Sequence, residues 1–203
     1  MGSRMGADAP VGASLAGDWK LDAAASDDPQ KVLTHMRAEA IKVLSRNAAY
    51  AQARGSAPAA DALPTDEAAA HGPHRDPLAR SPMAHIVENV AARGDSLSVR
   101  QTGEEIVFDY GGSRRSFTPG AHSVVSAEGG VGDQSSGWKG RDYVIVVRAQ
   151  AGPQLTETYA LSADGKQLLD KIHIGSYELP AVDLTRSYIP AASAAARPLP
   201  SND

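Results

Sequence analysis

The chain has no cysteine at any of its 203 positions. That excludes disulfide staples, thiolate metal sites and cysteine nucleophiles together, so its core must stand on packing alone. Aromatic residues make up only 5%, which leaves few platforms for stacking bases or sugars. Basic residues are not concentrated: Lys+Arg number 20 against 24 Asp+Glu, for a formal charge of −4. Nucleic acid and anionic membrane surfaces both call for clustered positive charge, so neither is an expected partner. The longest apolar run, Tyr143 to Val147, falls far short of the roughly 20 residues of a membrane helix, so the chain is not expected to be an integral membrane protein. No signal-peptide pattern precedes the domain. Met1 to Met5 reads as an expression remnant, and a natural leader is expected to have been removed with it.

What is present reads mainly as β-structure. Residues 15–22 (LAGDWKLD) set Trp19 and Leu21 against Lys20 and Asp22, the period of a half-buried strand. The pattern then changes. Ser26, Asp27, Asp28 and Pro29 form a helix start. Leu33, Met36, Ala40, Val43, Leu44 and Ala48 follow at helical spacing with Ile41 beside them, and Gly55 ends the run. Residues 55–82 hold five prolines among small polar residues and read as a mobile excursion. A second helix is expected over 83–92, with Ile86, Val87 and Val90 on one side.

Beyond Asp95 nearly everything reads as short strands, near 96–102, 105–110, 114–118, 122–128, 135–139, 142–149, 154–161, 167–174 and 183–189. Short links rich in glycine and Asp divide them, at Gly103-Glu104, Gly111-Gly112, Gly140-Arg141 and Asp164-Gly165. Consecutive hairpins imply an antiparallel meander, which tends to close on itself and remove its edges. The expected fold is therefore mainly β: an antiparallel barrel of about 8–10 strands with a helical and disordered insertion after the first strand. The domain is expected over 15–190. Its insertion covers 23–94, with a flexible lead-in over 1–14 and a flexible tail over 191–203.

The Asp164-Gly165 hairpin sets a register by counting outward: Leu161 faces Leu168, Tyr159 faces Asp170 and Glu157 faces Ile172. Two carboxylates then share a mainly apolar face. Leu184, Arg186 and Tyr188 share a face of the last strand, which makes Arg186 the expected partner of one acid, because an unpaired buried charge is costly. This trio reads as a register-fixing salt bridge, as a polar anchor in a ligand cavity, or as an acid–base pair of Glu157 and Asp170. Tyr143 to Val147 is apolar on both faces and is expected to lie under the first helix; the alternative is an exposed band for a protein or lipid partner.

Gly17 and Trp19 in the opening strand, the meander, and an arginine in the final strand together resemble the lipocalin and calycin superfamily. The stretches LAGDWKLD, LSVRQTGEEIVF and YALSADGKQL are similar to a group of uncharacterised bacterial envelope proteins with a lipocalin-like domain. The resemblance implies that Arg186 packs over Trp19, beside Gly17, to close the barrel base. It also implies a periplasmic or secreted location, and a binding role over an enzymatic one.

No cofactor is expected. His71 and His74 lie in the excursion without metal-site spacing, so no metal is expected either. His122 and His173 fall on separate strands, and Ser135 and Ser136 lack a base placed by sequence. No nucleophile elbow, phosphate loop, dinucleotide fingerprint or zincin helix occurs. The leading expectation is a non-catalytic envelope barrel that binds a small apolar or amphipathic molecule, with Trp138, Tyr143, Glu157, Tyr159, Asp170 and Tyr188 as candidate lining. The alternatives are a module that engages an envelope protein through the helix and excursion, and a hydrolase using Glu157 and Asp170.

Overall fold

A computed structural model describes residues 5–54, 76–128 and 130–191. Ten strands appear among them: β1 (Gly17–Leu21), β2 (Ser96–Gln101), β3 (Ile106–Asp109), β4 (Arg114–Phe117), β5 (His122–Ala127), β6 (Gly130–Lys139), β7 (Asp142–Ala149), β8 (Gln154–Leu161), β9 (Leu168–Gly175) and β10 (Val182–Pro190). Helices α1 (Pro29–Ala53) and α2 (Pro82–Ala91) lie between β1 and β2. All strands form one antiparallel sheet in the order β4-β3-β2-β1-β10-β9-β8-β7-β6-β5. The sheet curls until its two ends meet through side chains: Phe117 on β4 lies 6.5 Å from Tyr143 on β7, and Phe108 on β3 stacks on Tyr159 of β8 at 4.1 Å. Strands β4 and β5 remain its two edges, so the result is a half-barrel.

The register counted from Asp164-Gly165 is the one observed, with Leu161 opposite Leu168, Tyr159 opposite Asp170 and Glu157 opposite Ile172. Gly165 has a φ of 68°, the left-handed backbone that such a turn favours. One strand is longer than expected. β6 begins at Gly130, and glycine at 132 permits close approach to its neighbours: a Cβ on Gly132 would meet the Arg148 carbonyl and the Ala127 side chain at 3.0 Å. A glycine-rich stretch carries no apolar alternation, so the pairing with β5 leaves no sequence signal.

The interior has two apolar clusters. Trp19, Leu97, Val99, Ile106, Phe108, Phe117, Trp138, Tyr143, Ile145, Tyr159, Leu168 and Tyr188 fill the base. Helices plug the other end: Leu33, Met36 and Ala40 of α1 and Met83, Ile86, Val87 and Val90 of α2 pack with Ile172, Ile174, Val182 and Leu184. Asp28 caps α1 through Gln30 N–H at 2.9 Å, followed by Pro29 at the first helical position.

Four expectations need correction. First, α1 packs on α2 and β10 instead of covering β7; Tyr143 and Ile145 are buried because they point inward, into the base cluster. Second, the lead-in is held. Gly6 exchanges backbone hydrogen bonds with Trp138, Gln101 bonds both Leu15 N–H and the Ala13 carbonyl, and Ala13 is buried. Third, part of the expected mobile excursion packs: Leu78 is buried in the helical cluster and Asp76 forms a bidentate pair with Arg37. Residues 55–75, with His71 and His74, lie outside the described residues.

The fourth concerns closure of the base. First and last strands do pair, with Trp19 opposite Pro190. Arg186 is therefore four residues away from the level of Trp19, about 13 Å along a strand. The base is closed instead by the lead-in, and the Trp19 indole N–H donates to the Leu15 carbonyl at 3.2 Å.

Candidate ligand-binding site

Between the aromatic base and the helical plug lies a layer of buried charge. β8 contributes Glu157, β9 contributes Asp170 and β10 contributes Arg186, all inward and essentially unexposed. The acids do meet cations, but those cations are Arg93 and Arg115. Arg93, just beyond α2, donates to Glu157 Oε1 at 2.5 Å and to Asp170 Oδ2 at 3.0 Å. Arg115, on β4, donates to both oxygens of Glu157, at 2.8 and 2.5 Å.

Arg186 lies opposite Asp170 in the ladder, as the sequence register implies. Its guanidinium turns away, donating to the carbonyls of Val90 at 2.5 Å, Gly94 at 3.1 Å and Arg93 at 3.4 Å. The expected Arg186–carboxylate bridge is thus replaced by a cap on α2. The reason is electrostatic: the C-terminal carbonyls of a helix carry partial negative charge and lack intrahelical donors. With Arg186 so engaged, Arg93 and Arg115 pair with the acids, fully at Glu157 and through one oxygen at Asp170.

The two carboxyls differ sharply. Burial pushes Glu157 up, yet Arg115 and Arg93 together outweigh it and hold the group at about 2. Among the described residues Asp170 has one guanidinium contact, and its Oδ1 has no partner. Burial, followed by the neighbouring Glu157 charge, pushes it up to about 7. Tyr110 and Tyr159 close the layer with hydroxyls 2.6 Å apart, and burial raises Tyr110 to about 12.

The two arginines of this layer, Arg93 and Arg115, border a cleft of about 720 Å3. Ile86 and Val90 of α2, Val125 and Ala127 of β5, Val147 of β7 and Leu155 of β8 supply its apolar walls. Arg93 and Arg115 reach it from below, and Asn89, Ser113, Glu128 and Gln134 add polar groups. Apart from Ser126, the strand residues lining it belong to the inward face, so the cleft is the unfilled end of the sheet's interior, bounded by edge strands β4 and β5. Glu128 accepts from the Asn89 amide at 3.2 Å and stands 3.4 Å from His85 Nδ1, tying the β5–β6 turn to α2. A second cleft of about 700 Å3 lies outside the sheet, between Met83 and the turns carrying Gln150 and Tyr177.

The six residues expected to line a ligand cavity are placed differently. Trp138, Tyr143, Tyr159 and Tyr188 are buried in the base cluster, while Glu157 and Asp170 are enclosed by arginines and aromatic rings. None of the six lines either cleft. The chain fills the half of its interior where aromatics are available and leaves open the half bounded by small aliphatic side chains. The hydrolase alternative needs a substrate at Glu157 and Asp170, and neither has exposed surface or borders these clefts.

Of the other candidates, His173 Nδ1 pairs with Asp183 at 2.7 Å on an exposed face. His122 lies 3.8 Å from Asp133, also exposed. Ser136 is buried and accepts from the Tyr143 hydroxyl at 3.1 Å. Among the described residues no group of three or more His, Asp or Glu is placed to hold a metal.

Comparison with known proteins adds fold likeness alone. No family profile matches the sequence, and no curated protein matches it. Among solved structures, lipid binding protein 8 of Caenorhabditis elegans aligns with 88% of this chain and 99% of its own, at 12% identity and a TM-score of 0.49. The REP1-NXSQ fatty acid transporter aligns with 87% of this chain and 96% of its own, at 12% identity and a TM-score of 0.46. A secretory abundant heat soluble protein of Ramazzottius varieornatus covers 53% of this chain at 10% identity and a TM-score of 0.38. Scores and identities this low carry no function across.

Proposed function

We propose that the protein is a non-catalytic binding protein for a small amphipathic molecule. The observation that carries this reading is the interior cleft of about 720 Å3, with aliphatic walls on one side and Arg93 and Arg115 on the other. Pockets of a few hundred Å3 with apolar walls and a few placed polar groups are the usual form of small-molecule sites. An alkyl chain lies between Val90, Val125, Val147 and Leu155, and an anionic head meets Arg115, the more accessible of the two guanidiniums. The proposed location is periplasmic or secreted, supported by the sequence resemblance to envelope proteins.

The test is titration with decanoate, read by calorimetry, on the wild type and on Val125→Trp. Wild-type binding that is weakened at least tenfold by the indole supports the site. Equal affinity in both proteins would sink it.

A second reading, a protein-interaction module, is favoured by the far half of α1. Ile41, Leu44 and Tyr50 there are 52%, 58% and 65% exposed, beyond the point where Leu33, Met36 and Ala40 reach the core. If α1 docks a partner, Leu44→Asp abolishes co-purification of a protein from envelope extracts while decanoate titration is unaffected.

A further inference from the structure

An anion reaching this cleft meets a chain of shared contacts. Arg115 holds both oxygens of Glu157, and Glu157 Oε1 is shared with Arg93. Arg93 is also the one guanidinium bonded to Asp170. The shared contacts therefore run Arg115, Glu157, Arg93, Asp170, with both guanidiniums bordering the cleft and Asp170 at the buried end. We infer that anion binding in the cleft is coupled to uptake of one proton by Asp170. The inference rests on the reading of the cleft as an anion-accepting site, and names the regulation that follows from it.

The coupling is electrostatic. A head group that takes Arg115 leaves Glu157 more dependent on Arg93, and Arg93 is drawn from Asp170. A buried carboxylate that loses its cation binds a proton in preference to remaining charged. Among the described residues, the ionisable groups around Asp170 come from five elements. Glu157 and Tyr159 come from β8, Arg115 from β4, and Tyr110 from the turn after β3. Arg93 comes from beyond α2, and Arg186 and Tyr188 from β10. Arg186 is fixed on the α2 carbonyls, so it does not move to neutralise Asp170. The unpartnered Oδ1 is free to carry the proton, and burial already places this carboxyl near neutrality.

By linkage, protonation of Asp170 and binding of the anion strengthen each other by the same factor. Affinity for an anion therefore falls as pH rises above 7, by at most about tenfold per pH unit for one linked proton. A neutral amphiphile has no such dependence.

The probe is decane-1-sulfonate, which does not titrate in this range, with 1-decanol as its neutral counterpart. Calorimetry at pH 8 in two buffers of different ionisation enthalpy reports protons taken up on binding. In parallel, 13C spectra of Asp-labelled wild-type protein follow the Asp170 carboxyl with and without the sulfonate. The expected result is proton uptake with the sulfonate and none with decanol, and an upward displacement of the Asp170 midpoint. In Asp170→Asn the uptake is lost and sulfonate affinity becomes independent of pH between 6.5 and 8.5. Sulfonate binding without proton uptake and with an unmoved Asp170 midpoint overturns the inference and leaves the cleft reading intact. If neither probe binds, the cleft reading fails and the inference falls with it. The wild-type spectra decide the matter even if Asp170→Asn does not fold.

Discussion

Two carboxyls bridged by Arg93, both fully buried, give stability opposite dependences on pH. Glu157 is held at about 2 when folded, so between pH 4.5 and 2 the unfolded chain binds more protons and stability is lost on acidification. Asp170 is raised to about 7. Between pH 4 and 7 the folded chain holds the extra proton, and stability falls as pH rises. Urea denaturation from pH 3 to 8 should show both limbs. Subtracting the profile of Asp170→Asn should isolate the falling one, a change of roughly a few kcal/mol between pH 4 and 7. A flat difference between the two proteins would show that Asp170 is not raised. Arg115→Met leaves Glu157 with one cation and should cost about 3–5 kcal/mol. The need for buried cations was legible in the sequence, since the hairpin register alone put two acids on an apolar face. Their identity was less so, although signals existed. Arg93 continues the Ile86–Val90 stripe of α2, and Arg115 alternates with inward Phe117. Arg186 drew the assignment because it faces Asp170 in the ladder, and what turned it away was a helix end that no strand pattern reveals.

Element boundaries followed closely from local chemistry. The cap at Asp28, the proline at position 29 and the hairpin at Asp164-Gly165 each act over a few residues, and each appears where expected. Contacts between distant segments were hidden. The lead-in shows no apolar period, yet Ala13 enters the base cluster and Gly6 pairs with Trp138. Removing residues 1–14 should therefore lower unfolding free energy by about 1–3 kcal/mol, measurable in urea; an unchanged midpoint would mean the strap is incidental. Helix α2 is held by Arg186 on its last carbonyls and by Glu128 beside Asn89. Arg186→Met should speed amide exchange at the C-terminal turn of α2 well beyond that of α1, because the Val90 and Gly94 carbonyls lose their charged donor.

At the scale of the whole molecule, a ten-strand sheet has curled around an interior divided into three levels. Aromatics pack the base, paired charges cross the middle, and aliphatics under α2 leave an open space. Alternation along the strands foretold the inward faces, but not which inward level would be filled. That depends on the summed volumes of side chains from ten strands and two helices, which no local window contains. In the proposed binding mode this unfilled level takes the apolar body of an amphipathic molecule, with its head at Arg115. The most direct measurement is isotope-filtered NMR of the protein with 13C-labelled valine, leucine and isoleucine methyls and unlabelled decanoate. Nuclear Overhauser contacts from the ligand methylenes to Val90, Val125, Val147 and Leu155 are the predicted result. Contacts confined to the exposed methyls of Ile41 and Leu44, or to none of these residues at saturating decanoate, would contradict it.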